Sequence, residues 1–479
     1  MAFDIVFRNA TVVDGTGNGR ITASVGVSAD IIEKISTTGD LDGHQVVDAT
    51  GLVLAPGFID AHAHDDNALF QTPFMPFKIS QGVTTVINGN CGLSLAPLNS
   101  LENAPPPLNL IAKNSKQFFS SFESYFSSLD EAPSSVNSVC LVGHSTLRFS
   151  SMENLDQPAT DREISLMNTD LVRSLEQGAI GLSTGLFYPP AKAAPTEEVI
   201  ELCKSLVPYN GIYVTHMRDE ADGVMKSIEE TARIGREAAV EVVISHHKCA
   251  GKNNHGRSLE TLAKIDEIGE YLNIGLDAYP YIASSTMLGA GNENRASKVL
   301  ITWSDGMPEA ANRELSELVQ SLGLTAGETV ERLMPAGGVF FTMDENDVQR
   351  ILKHPKTVIG SDGISGYGHP HPRLWGTFPR VLGHYSRELG LFSLEDAIRK
   401  MTYTTAQRFG IQNRGIIREG AFADLVLFDP KTVIDTATFD SPMQEADGIH
   451  FTLVNGEITW TNGRHTGVRS GRVLRGRHV

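Results

Sequence analysis

The sequence predicts an α/β protein: a (β/α)₈ TIM-type barrel carrying a small β-domain formed by both termini. Three observations carry this reading. Eight short apolar runs, mostly separated by helical patterns, occupy the middle of the chain, the count that such a barrel requires. The two ends are instead rich in β-branched residues punctuated by Gly, Asn and Asp, which reads as short strands and turns. Residue types that ligate metals recur at the C-terminal ends of the predicted strands, where barrels of this kind gather their chemistry.

The chain has 479 residues, more than one ordinary domain but within reach of one large barrel with additions. Apolar residues make up 41% and charged residues 20%, the balance of a globular protein. A net charge of −17 and the lack of any Lys/Arg cluster argue against a nucleic-acid surface. Four cysteines, Cys91, Cys140, Cys203 and Cys249, are too few for a disulfide scaffold. No run of about eighteen apolar residues is present to span a membrane. The start, MAFDIVFRNATVV, lacks the basic and apolar regions of a secretory signal. A reducing cytoplasm is the expected location.

Taken in order, residues 1–56 read as strands at 5–13, 26–35 and 46–54. Residues after about 414 look similar, with strands at 424–428 and 450–460 and with Asn455-Gly456 and Asn462-Gly463 as hairpin signals. Neither end buries a core alone, so 1–56 and 415–479 are expected to share one β-domain around a barrel at 57–414. The barrel strands fall at 58–59, 84–87, 139–142, 179–182, 212–214, 240–244, 274–276 and 357–359. Helical patterns include 197–206, 224–238 and 258–271. Two gaps are oversized. The segment 97–133 is Ser- and Pro-rich, and its aromatic stripe (Phe118, Phe122, Tyr125, Phe126) reads as ordinary packing. The insertion 282–345 lies between strands seven and eight, over the barrel mouth, and is expected to be a lid or specificity element.

The stretch from Gly57 to Asp66, G-F-I-D-A-H-A-H-D-D, opens the ligand series. Residues two apart on a strand share a face, so His62 and His64 present two imidazoles together. Later strand ends supply Cys91 after strand two, His144 after three, His216 after five, His246 after six and Asp362 after eight. A glycine-flanked cysteine among histidines suits a thiolate zinc ligand. His247 must point away from its neighbour His246, so it reads as a packing or surface residue. His144 reads either as a group near the substrate or as a hydrogen-bonded core histidine. Cys140 and Cys203 read as buried bystanders, and Cys249 is open to either role.

This order of ligands resembles the amidohydrolase superfamily. Many of its members bridge two metals with a carboxylated lysine after strand four, where this chain has G-L-S-T-G-L-F-Y (181–188) and no lysine. That departure, with Cys91 in its place, is similar to the branch of N-acyl-D-amino-acid deacylases, the D-aminoacylases. The likeness extends through V-T-H-M-R-D-E (214–220), S-H-H-K (245–248), D-A-Y-P-Y (277–281) and P-H-P-R-L-W-G-T-F-P-R-V-L-G (370–383). It implies one tight zinc on Cys91, His216 and His246. It also implies a weaker second position lined by His62, His64 and Asp362. Lys248, Tyr279 and Arg373 would grip the substrate's α-carboxylate, residue types whose donors suit that group.

The same resemblance implies hydrolysis of N-acyl-D-amino acids, small-molecule substrates, by a zinc-dependent route. Zinc acidifies water and polarises an amide carbonyl. Asp362 takes the water proton and passes it to the departing amine. The side-chain pocket is expected around Phe187 and its neighbour Tyr188, the start of the insertion, and Phe340 and Met343. This wall favours apolar side chains. Arg295, in the polar stretch 289–295, offers the alternative of a D-glutamate or D-aspartate substrate. It reads equally as an outward-facing loop arginine beside Glu293. A cyclic-amide hydrolase on the same barrel is the nearest rival, and a metal-free scaffold protein a more distant one.

Overall fold

The structure is a computed structural model that describes residues 2–39, 41–98, 105–112, 115–289, 291–366 and 368–476. All eight apolar runs of the middle region form strands. They lie at Phe58–Asp60, Val83–Asn88, 137–143, Gly181–Gly185, Ile212–His216, Glu241–Ile244, Ile274–Ala278 and Thr357–Ile359. Each pairs in parallel with the next. The third is broken at Leu141: Asn137–Cys140 pairs back to strand two, and Val142–Gly143 forward to strand four. Strand eight returns to strand one through the parallel bridge between Ala63 and Gly363. The Ala61 N–H, donated to the Ile359 carbonyl at 3.1 Å, supports the same closure.

Period-two alternation sorts each strand's side chains between two apolar layers. Ile59, Ile87, Val139, Val214, Val243 and Val358 fill the barrel interior, joined by Phe409 and Ile411. Their neighbours Phe58, Val86, Tyr213, Val242 and Ile359 pack outward with the helices. The helical pattern at 224–238 is realised as Val224–Ala238, and those at 197–206 and 258–271 as Thr196–Lys204 and Ser258–Ile268. No helix among the described residues is long and apolar enough to cross a membrane.

Strands from both ends of the chain build one nine-stranded sheet. Its junction is the antiparallel pairing of Val53–Pro56 with Leu425–Phe428. One face carries its own core of Phe7, Val25, Ile32, Leu425 and Leu453. On the other face, Val426, Phe428, Ile449 and Trp460 join the same cluster as Phe58 and Val83 of the barrel. Asn455-Gly456 and Asn462-Gly463 turn with φ of 50°, 81°, 53° and 69°, as two-residue hairpins require. The run 26–35 is a hairpin instead of one strand. It turns at Ala29, whose φ is 50° and whose N–H is held by the Asp4 carboxylate at 2.7 Å.

The insertion forms a three-stranded antiparallel sheet, Ala283–Met287, Ala336–Phe341 and Val299–Ser304, with helices Leu315–Leu322 and Ala326–Leu333. It has a small apolar core of its own. In the Ser/Pro-rich segment, helix Phe122–Glu131 buries Phe122, Tyr125 and Phe126 against the barrel, so the aromatic stripe is packing. Parts of that segment (99–104 and 113–114), and Ala290 of the 289–295 stretch, lie outside the described residues.

Candidate metal centre

The barrel's strand ends deliver a thiol, four imidazoles and a carboxylate to one place. Cys91 sits three residues past strand two, where Gly89 (φ 77°) turns so close to Leu141 that a side chain would collide with its carbonyl. Cys91, His246 and Asp362 adopt φ of 55°, 35° and 49°, a left-handed region uncommon for any residue but glycine, though Asp and His enter it more readily than Cys. Cys91 Sγ then lies 3.3 Å from His62 Nε2, 3.4 Å from His246 Nε2 and 3.7 Å from His216 Nδ1. On the other side, Asp362 Oδ1 lies 3.2 Å from His64 Nε2 and 3.6 Å from His62 Nε2. Strand one ends at Asp60, so the H-x-H spacing acts just beyond the strand; the Ala63–Gly363 bridge keeps the extended alternation.

The charges of this cluster reinforce one another. Burial alone pushes the Cys91 thiol up, but His62 and His246 outweigh it and hold the thiol well below its ordinary value. Burial also opposes ionisation of Asp362, yet Arg373 and His64 hold that carboxyl well below the usual range. His64 is correspondingly raised to about 9, its hydrogen bonds to Asp362 and Cys91 overcoming burial. His62 is likewise raised well above its ordinary value, Asp277 and Cys91 overcoming burial. Protonated rings around a thiolate and a carboxylate are a set that a dication neutralises in their place, releasing protons. His62, Cys91, His246 and Asp362 bring one ligand atom each within 4.8 Å of the others, and so do His216, Glu220 and His246. Sulfur and imidazole donors with one carboxylate suit zinc.

Beside the metal-type residues, Lys248 lines the cavity with Tyr188, Glu220, Leu93, Leu110, Ile111, Ile364, Asn292 and the 284–286 edge of the insertion. Arg373 is fully buried, its Nη1 2.9 Å from Asp362 Oδ2 and its guanidinium 4.5 Å from the Tyr279 ring centre. Its Nε has no hydrogen-bond partner among the described residues. Tyr188 packs its ring 4.8 Å from His216 and links to Thr286 Oγ1 at 3.1 Å. Phe187 stacks on His216 at 5.6 Å.

Other expected residues lie elsewhere. Phe340 is not a cavity wall: its strand pairs on both sides, and its side chain is buried in the insertion's own core. Met343 borders a small space behind Lys248 and Tyr279 together with Cys249. Arg295 points to Asp219, 3.7 Å away, and is 37% exposed; Glu293 instead accepts backbone N–H groups from Gly289 and Gly291. His144 is a core residue, 2.9 Å from Glu198, which also pairs with Arg148. His247 is buried and bonds Thr261 at 2.9 Å.

Three supporting groups escaped the sequence reading. Asp277, at the end of strand seven, accepts the His246 N–H at 2.8 Å and lies 3.2 Å from His62 Nδ1. Lys78, fully buried, reaches Asp60 at 2.5 Å, Ser361 at 2.9 Å and Asp65 at 3.1 Å, tying the end of strand one to the end of strand eight. Glu220 bonds His246 Nδ1 at 2.9 Å and Lys248 at 2.6 Å. Asp277 and Glu220 are acidic residues within D-A-Y-P-Y (277–281) and V-T-H-M-R-D-E (214–220); nothing in the sequence marks Lys78.

The model of the amidohydrolase family matches residues 45–280 and 289–460. A D-aminoacylase of Alcaligenes xylosoxydans xylosoxydans is 50% identical over 98% of this chain and 97% of its own length. An N-acyl-D-aspartate deacylase from the same organism is 48% identical over 98% and 95%. The crystal structure of an N-acyl-D-glutamate deacylase from Bordetella bronchiseptica, complexed with zinc and a phosphonate inhibitor, superposes with a TM-score of 0.96. It is 40% identical, covering 99% of this chain and 100% of that one. The chain therefore belongs to the amidohydrolase family, within its N-acyl-D-amino-acid deacylase branch.

Proposed function

We propose that this protein is a zinc-dependent deacylase that hydrolyses N-acyl-D-amino acids to a carboxylate and a free D-amino acid. The observation that carries it is the Cys91 thiol set among His62, His216 and His246 with Asp362 alongside, in a chain half identical to a D-aminoacylase. Cys91, His216 and His246 hold the zinc; His62, His64 and Asp362, sharing Cys91, border a weaker second position. When bound, zinc supplies Lewis acidity toward water and the amide carbonyl. Asp362, kept ionised by Arg373, accepts the water proton and returns it to the leaving amine.

Lys248, Tyr279 and Arg373 receive the substrate's carboxylate. In the structure Lys248 rests on Glu220 and Arg373 on Asp362, so the incoming carboxylate shares these cations with internal partners. The side chain is apolar: Leu93, Leu110, Ile111 and Ile364 offer an aliphatic wall, Glu220 repels a second carboxylate, and Arg295 is turned to Asp219. The insertion 282–345 acts as the lid, on a barrel at 57–414 whose β-domain comprises 1–56 and 415–479. Cys140, Cys203 and Cys249 are buried and unbridged, which fits a cytoplasmic location.

The test is zinc analysis together with a panel of N-acetyl-D- and N-acetyl-L-amino acids. Stoichiometric zinc and a D-specific rate are expected, with N-acetyl-D-methionine favoured over N-acetyl-D-glutamate. A glutamate preference that disappears in Arg295→Ala would reverse the side-chain assignment. Activity on a hydantoin alone would remove the linear-amide reading.

A further inference from the structure

Glu220 lies four residues beyond His216, in the loop after strand five, with its side chain 13% exposed. Its backbone is pinned where the Ala250 N–H donates to its carbonyl at 2.7 Å. Asp219 beside it accepts N–H groups from Ala221 at 2.7 Å and Gly223 at 3.2 Å, which fixes the loop. The carboxylate faces both histidines on the side away from Cys91: Oε1 is hydrogen-bonded to His246 Nδ1 at 2.9 Å, while Oε2 lies 3.6 Å from His216 Nε2, too far for a hydrogen bond. Each ring thus shows one nitrogen to Cys91 and the other to Glu220.

Lys248 complicates His246. Its ammonium is 2.7 Å from His246 Nδ1 and 2.6 Å from Glu220. An ammonium only donates, and the neutral imidazole that a metal requires carries one N–H. If Lys248 donates to Nδ1, the ring proton sits on Nε2 facing Cys91, and that nitrogen has no lone pair for a metal. If Glu220 accepts from Nδ1–H and from Lys248 together, Nε2 is free. The carboxylate therefore decides which tautomer prevails.

We propose that Glu220 is a positioning residue: it fixes the ring proton of His246 away from Cys91 and keeps Lys248 from reversing that tautomer. Such partners of metal-bound histidines commonly govern metal affinity by about 10–100-fold. The inference rests on Cys91, His216 and His246 being the zinc ligands.

Zinc affinity is measured by competition with a chromophoric chelator, and the ring tautomers by ¹⁵N imidazole resonances of the zinc-free protein at a pH where the rings are neutral. Glu220→Gln is expected to weaken zinc by about 10–100-fold and to mix the His246 tautomers. Lys248→Met, which removes the competing donor, is expected to keep wild-type affinity. Wild-type affinity with unchanged tautomers in Glu220→Gln overturns the proposal. A wild-type protein without tight zinc instead overturns the metal reading beneath it. Should Glu220→Gln melt early without zinc, Glu220→Asp decides: it must bind zinc better than the Gln variant, and equal loss overturns the proposal.

Discussion

Arg373 and Asp362 constrain each other at the centre of the site. Arg373 is completely buried, and its nearest countercharge is the residue assigned to move the proton. Asp362→Asn keeps shape but removes the acceptor, so turnover should fall roughly 10²–10⁴-fold while zinc, measured by elemental analysis, stays. Turnover near wild type would assign the proton to another group. Arg373→Ala should slow both N-acetyl-D-methionine and its amide, because Asp362 loses its main counter-charge. The free acid should lose a further 2–5 kcal/mol or so in kcat/KM through its unpaired carboxylate. Equal losses would argue against a carboxylate contact. Cys91→Ala should lose zinc and activity together, and retained stoichiometric zinc would remove Cys91 from the ligand set. At this scale the sequence is most legible where chemistry restricts the residue type. Cys91, the histidines and Asp362 stand out because few side chains bind metal. Asp277, Glu220 and Lys78 serve as partners, and only the fold reveals whom they touch.

Among the elements, the second layer around strand four is held by charge instead of oil. Arg148, at 0% exposure, gives its guanidinium to Glu198 and to the carbonyls of Pro190, Leu155 and Gln157, while His144 caps the same carboxylate. This joins helix His144–Ser151 to helix Thr196–Lys204. Glu198→Ala leaves a buried guanidinium without its countercharge, and should cost about 3–5 kcal/mol of stability in denaturant titration. The zinc site lies elsewhere, so its occupancy well below the melting temperature should be unchanged; loss of zinc in the folded variant would tie the cluster to the metal site. The helix over 224–238 was readable because its apolar positions recur every three or four residues and bury one face. The 26–35 hairpin was not. Its turn at Ala29-Asp30 has no glycine or asparagine, and the carboxylate that holds it comes from Asp4 across the sheet. Phe340 misled for a related reason: an apolar residue near a cavity says nothing of which face its strand buries, and here the insertion has its own core.

For the molecule as a whole, the β-domain and the barrel share structure in a way that the sequence hinted at only through its two β-rich ends. Arg414 and Asn137 both bond Asp424, and Asn455 bonds Asn137 at 2.8 Å, a buried polar chain from the terminal sheet into barrel strand three. The tail extends the contact: Ser138 donates to the Arg472 carbonyl at 2.9 Å, and Leu474 donates back to Ser138 at 2.8 Å. Apolar side chains of both bodies belong to one cluster, with Trp460 and Phe428 beside Phe58. Losing either body strips the other of buried surface and leaves polar groups unpaired. Unfolding is therefore expected as one cooperative event. Calorimetry, tryptophan fluorescence from Trp303, Trp375 and Trp460, and zinc release should share a single midpoint, since coincident transitions are the mark of two-state behaviour. Trp303 belongs to the insertion and Trp460 to the terminal sheet, so the fluorescence of single-tryptophan variants separates the bodies. An earlier midpoint reported from Trp460 alone, with zinc still bound, would mean that the β-domain melts by itself and that the shared core contributes little.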